Sequence, residues 1–121
     1  MIDAVPYPAQ KILVVDDEQA ICDILSEALR HIGHYVEVAR DGVEAIQKIE
    51  EGNFGIVITD MMMPRMDGME LIEYLVKNRK GIDIIAITGH TMSYQYTDVI
   101  AAGATDFIAK PFTMTSMNSS L

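Results

Sequence analysis

Five polar residues stand where apolar runs stop. Asp16 and Asp17 follow KILVV, Asp60 follows GIVIT, Thr88 ends DIIAIT, and Lys110 follows TDFIA. Brought together, three carboxylates repel one another unless a cation compensates. Mg²⁺ is the natural choice, a hard ion that takes oxygen ligands and keeps several waters. A carboxylate beside such an ion can act as a nucleophile toward phosphorus. The ion and a lysine would neutralise charge on the phosphoryl oxygens, and a threonine hydroxyl could hydrogen-bond one of them. The chemistry this residue set suits is an acyl phosphate on Asp60.

The residues meet only if the right elements carry them. Residues 11–15, 35–39, 55–59, 83–88 and 105–109 read as five strands. The first, third and fourth are nearly unbroken apolar runs, as in parallel strands buried on both faces. The second, YVEVA, alternates like a half-exposed edge strand. Helical stripes lie between: Ile21, Ile24, Leu25, Ala28, Leu29 and Ile32; then Ala45, Ile46 and Ile49; then Leu71, Ile72, Leu75 and Val76; and most weakly Tyr96, Val99 and Ile100. Gly33, Gly52, Gly81 and Gly103 each fall between helix and strand, where a left-handed residue closes a helix. Asp41 with Glu44, and Asp67 with Glu70, have capping-box spacing.

Strand and helix thus alternate through a doubly wound α/β fold with five parallel strands. In an open parallel sheet the carboxyl ends of the strands lie on one edge, where ligands bind. After Phe112 nine residues remain, with Asn118, Ser119 and Ser120 poor helix formers, so a fifth helix is expected to be short or truncated.

Composition narrows the class. The 121 residues make one domain, half of them hydrophobic. Residues 1–10, with Pro6 and Pro8, read as a loose leader ahead of a domain at 11–121. A net charge of −9 argues against direct nucleic-acid binding, which needs clustered cations. No apolar run approaches the roughly 20 residues of a membrane span. The single cysteine, Cys22, cannot form an internal disulfide and fits the cytoplasm.

The stretches LVVDDE (13–18), DGVEAI (41–46), TDMMMPRMDGMEL (59–71), AITG (86–89) and AGATDFIAKPF (102–112) carry a family likeness. The chain resembles the receiver domain of two-component response regulators, the group that includes the chemotaxis protein CheY. That resemblance implies the CheY-like strand order 2-1-3-4-5, the family example of this order. It implies that Asp60 is the phosphorylated aspartate. Asp16 and Asp17 would hold Mg²⁺ together with Asp60 and the backbone carbonyl of Met62. Lys110 would contact the phosphoryl group, Thr88 would move to meet it, and Phe107 would be the aromatic switch that turns into the space left. The surface of the fourth helix, fifth strand and fifth helix would then change. A sensor histidine kinase or phosphotransfer protein would be the donor. A downstream effector protein or domain would read the surface, and the family allows a homodimer that depends on phosphorylation. The module would phosphorylate and dephosphorylate itself without being a turnover enzyme.

Other residues have ordinary explanations. One of Asp16, Asp17 and Glu18 suffices to cap the helix that follows. Cys22 reads as a small packing residue beside the main helical stripe. His31 and His34 flank a helix-end glycine, as a surface turn would. Met61, Met62 and Met63 read as a soft interaction strip, Met63 packing inward. A metal-dependent phosphatase is the competing function, but its acid/base falls two residues past the nucleophile, where this chain has Met62. Met62 and His90 occupy positions that in the family are often polar or acidic and tune loss of the phosphoryl group. Met62 is expected to hinder the attacking water. Met62→Asn should therefore speed decay of the phosphorylated protein; an unchanged or slower decay contradicts this.

Overall fold

The computed structural model describes residues 9–61, 66–79, 81–88 and 100–109. Among these residues are five strands: β1 (Lys11–Val15), β2 (Tyr35–Ala39), β3 (Ile56–Asp60), β4 (Asp83–Thr88) and β5 (Asp106–Ala109). Three full helices connect the first four: α1 (Gln19–His31), α2 (Gly42–Glu51) and α3 (Gly68–Asn78). The strands pair in parallel in the order β2-β1-β3-β4-β5. The chain reverses direction of winding between β1 and β3, the switch point where open α/β sheets bind ligands.

The period of two along each strand splits the core into two layers. Ile12, Val14, Ile56, Ile58, Ile85, Ile87 and Ile108 face one side, where α1 covers them with Cys22, Leu25, Ala28 and Leu29. Leu13, Val15, Ala39, Val57 and Ala86 face the other, under Ala45 and Ile49 of α2 and Leu71, Ile72 and Leu75 of α3. A fully buried aliphatic side chain of this kind contributes about 1.5–3 kcal/mol. A helix cap contributes about 1 kcal/mol. Sheet burial therefore decides where the helices lie, and the caps decide where they begin.

The two capping pairs differ. Asp67 and Glu70 form the reciprocal box, each side chain accepting from the other's backbone. Asp41 accepts the Glu44 N–H at 2.9 Å, but Glu44 reaches one residue further back, to Arg40 N at 2.7 Å. Gly33, Gly81 and Gly103 have φ of 104°, 103° and 121°. Gly52 does not share that conformation; its φ is −130°, because the chain leaves α2 extended toward Phe54.

Several side chains lie elsewhere than their spacing predicts. β3 runs one residue later than expected, so Asp60 is its last residue, paired with Ile87. Ile24 is 53% exposed while Cys22 is fully buried; the buried seam of α1 runs through Cys22, Leu25 and Leu29, with Ile21 and Ile32 packed at its margin. Met61 is buried in the core and belongs to no surface strip. The fifth-helix pattern lies outside the described residues, as does the fourth-helix pattern before Ile100.

His34 is also not a surface turn. It is 6% exposed, and its Nδ1 accepts the Gln10 N–H at 3.0 Å, across 24 residues of chain. An accepting Nδ1 means a neutral ring, and burial holds the imidazole below its ordinary value of 6.5. As pH falls through that value the unfolded chain takes up its proton first. The folded state therefore loses stability from about pH 6.5 downward, until its own lower value is reached. Urea unfolding midpoints between about pH 5 and 7.5 should fall less steeply for His34→Gln than for the parent. Parallel pH slopes contradict the assignment.

Candidate functional site

The carboxyl ends of β1 and β3 and the loop after β1 converge on one acidic pocket. One carboxylate oxygen each from Asp16, Asp17 and Asp60 lie within 4.8 Å of one another. Asp16 and Asp60 are buried, at 0% and 4% exposure, while Asp17 is exposed at the rim. Burying charge without compensation is costly, so this arrangement has to be held from several sides.

The backbone around it is pinned at each approach. Asp16 N donates to Ala39 O at 3.1 Å, extending the β1–β2 ladder past its end. The Asp16 carboxylate accepts from Glu18 N at 2.9 Å. Glu18 is the N-cap of α1 but makes no capping hydrogen bond with its own side chain. Asp16 thus has a local structural role together with its place in the cluster. The Cys22 thiol donates to Asp16 O at 3.2 Å, and burial, followed by the Asp16 charge, pushes that thiol up to about 11. Arg40 donates from Nη2 to Asp17 O at 2.6 Å and from Nη1 to Gln19 Oε1 at 2.7 Å, fastening the acidic loop to the end of β2.

On the other side, Met61 N donates to Ile87 O and Gly68 N to Met61 O, each at 3.1 Å. The capping box of α3 therefore seats its first residue directly against the end of β3. Gly68 is required there: a Cβ would collide with the Asp60 carbonyl and come within 2.7 Å of Met61 Cα.

Of the residues singled out by spacing, Asp16, Asp17 and Asp60 are brought together. Thr88 closes β4 beside Ala109 of β5, at the same sheet edge. Phe107 lies two register pairs earlier, opposite Ala86, half-buried against the α2–α3 layer. Met62, His90 and Lys110 lie outside the described residues. Arg40 and the Cys22 thiol were not foreseen as parts of this pocket. Arg40 carried a usable signal, since it directly follows β2 at the same edge of the sheet. The Cys22 contact carried none, because it joins a side chain to a backbone oxygen.

Three hard oxygen donors, two from the loop after β1 and one from the end of β3, two of the three buried, fit a small divalent cation such as Mg²⁺. Asp60, at the end of a strand buried along its whole length, is the carboxylate held most firmly by the sheet.

Comparison with known proteins agrees with this geometry. The family model described as the response regulator receiver domain matches residues 12–121. Response regulator MprA of Mycobacterium sp. (strain KMS) is 36% identical over 104 residues, covering 86% of this chain and 45% of the relative. The same regulator from Mycobacterium avium (strain 104) is 36% identical, with 86% and 46% covered. This chain thus spans less than half the length of those relatives. Among solved structures, chemotaxis protein CheY4 of Vibrio cholerae superposes with a TM-score of 0.84 at 31% identity, covering 93% of this chain and 96% of that one. The receiver domain of NtrX from Brucella abortus gives 0.84 at 32%, covering 89% and 92%. With the family match running almost from end to end and the fold shared over the same span, the chain belongs to the receiver domains of two-component response regulators.

Proposed function

We propose that this receiver domain takes a phosphoryl group on Asp60 from a phosphohistidine of a sensor histidine kinase or phosphotransfer protein. The observation that carries the reading is the acidic triplet at the sheet edge, with Asp60 buried at the end of β3 and Asp16 and Asp17 within 4.8 Å. An Asp60 carboxylate oxygen attacks phosphorus, the P–N bond to imidazole breaks, and an acyl phosphate results. Asp16, Asp17, Asp60 and the Met62 carbonyl would hold Mg²⁺, which when bound supplies positive charge against the phosphoryl oxygens. Asp16 and Asp60 are fixed by the sheet ladder, and Asp17 by Arg40, so the acceptor needs little reorganisation.

Lys110 offers a second positive charge and Thr88 a hydroxyl donor for the phosphoryl oxygens. Drawing Thr88 inward would free space for Phe107, which is only half-buried and so has somewhere to go. The surface formed by the fourth helix, β5 and the fifth helix would then change, and an effector protein or domain would read it. The cycle is self-phosphorylation and self-dephosphorylation, without turnover of a substrate. Its place of action is the cytoplasm, which suits a buried free thiol at Cys22.

Intact-mass measurement after incubation with acetyl phosphate and Mg²⁺ tests the assignment. One added phosphoryl group is expected on the parent, lost in Asp60→Asn and on chelation of the metal. An adduct that persists in Asp60→Asn would falsify the acceptor. Multiple turnovers of added phosphate esters would favour a phosphatase instead.

A further inference from the structure

The free edge of the sheet at β2 is covered by two side chains that the phosphoryl chemistry does not use. Among the described residues β2 has a single neighbour, β1. Tyr35 N donates to Gln10 O and Ala39 O accepts from Asp16 N, so residues 35, 37 and 39 turn their peptide groups toward β1. Backbone groups alternate in direction along a strand. The N–H and C=O of Val36 and of Val38 therefore point away from the sheet. Such a row is a template for pairing with another strand.

Both outward carbonyls are occupied. Arg30 Nη2 donates to Val36 O at 2.9 Å, and Lys48 Nζ donates to Val38 O at 2.6 Å. Arg30 comes from α1 and Lys48 from α2, helices packed on opposite faces of the sheet. The two cations reach round the edge from both sides, with charged donors that bind a carbonyl more strongly than a neutral N–H does.

We infer that Arg30 and Lys48 keep the β2 edge from pairing with β2 of a second copy of this chain. The edge is self-complementary. In an antiparallel pair related by a two-fold axis at Glu37, Val36 of each copy stands opposite Val38 of the other, and both residues present outward donors and acceptors. The surface around it is concave: a cavity of about 540 Å³ follows the edge, lined by Lys11, Arg30, His34, Tyr35, Val36 and Glu37. Tyr35 is 71% exposed there. Charge alone does not close this edge. Glu37 would face its own copy, a repulsive contact, but Lys11 Nζ lies 3.7 Å from Glu37 and offsets it. The net charge of −9 is spread over the whole domain and is screened beyond about 8 Å at physiological salt. Occupation of the two carbonyls is what remains to hold the edge closed.

The test uses the full chain, unphosphorylated, with Arg30→Met and Lys48→Met combined. These changes keep the aliphatic stems and remove the donors. Sedimentation should give twice the parent's mass at concentrations where the parent is monomeric. Amide hydrogen exchange at Val36 and Val38, fast in the parent, should slow in step with the dimer fraction. The conservative pair Arg30→Lys with Lys48→Arg keeps a donor at each site and should behave like the parent. A folded double-methionine variant that stays monomeric overturns the inference. So does association without protection at Val36 and Val38, or association of both variants alike. If the double variant does not fold, the two single substitutions are read by the same criteria.

Discussion

Mutual repulsion among three carboxylates is the constraint around which the rest of the domain is arranged. Two unit charges at about 4 Å interact by about 4 kcal/mol at an effective dielectric near 20. Asp16, Asp17 and Asp60 lie within 4.8 Å of one another, and two of them are buried. A loop of ordinary flexibility would relieve that repulsion by moving apart. It cannot do so here, because Asp60 is a strand residue paired with Ile87 and Asp16 continues the ladder onto Ala39. The two aliphatic layers that clamp the sheet, at about 1.5–3 kcal/mol per fully buried side chain, keep these strand ends in place.

The supports of the pocket come from both sides of the switch point. The Arg40 guanidinium and the Cys22 thiol fix the loop between β1 and α1 through its backbone carbonyls, at Asp17 and Asp16. Gly68 and the α3 capping box fix the loop beyond β3 by close approach. A pocket held through the backbone can exchange a cation or accept a phosphoryl group without losing its frame. The far edge of the sheet, at β2, is also closed by cationic side chains on backbone carbonyls.

Much of this was legible in the residues. The unbroken runs at KILVV and DIIAIT predicted buried parallel strands, and the alternation of YVEVA predicted an edge. Both follow from the period of two, which any strand must obey. The acidic triplet was legible because each member sits at the end of such a run. What could not be read depended on contacts between distant segments. Burial of His34 rests on Gln10, 24 residues away. The choice of Cys22 over Ile24 for the seam of α1 rests on how closely that helix approaches β1, which spacing alone does not specify. Asp60 lies inside β3, not beyond it, because Ile87 continues the ladder alongside it.

The central proposal is that a divalent cation binds among the three acids and offsets their mutual repulsion. The thermal unfolding midpoint, followed against Mg²⁺ concentration for the parent and Asp60→Asn, tests it most directly. Without metal, Asp60→Asn should unfold at the higher temperature, since one of the repelling charges is gone. Added Mg²⁺ should raise the parent's midpoint along a single-site curve and raise that of Asp60→Asn much less. A parent midpoint indifferent to Mg²⁺, with Asp60→Asn no more stable than the parent in its absence, would contradict the account.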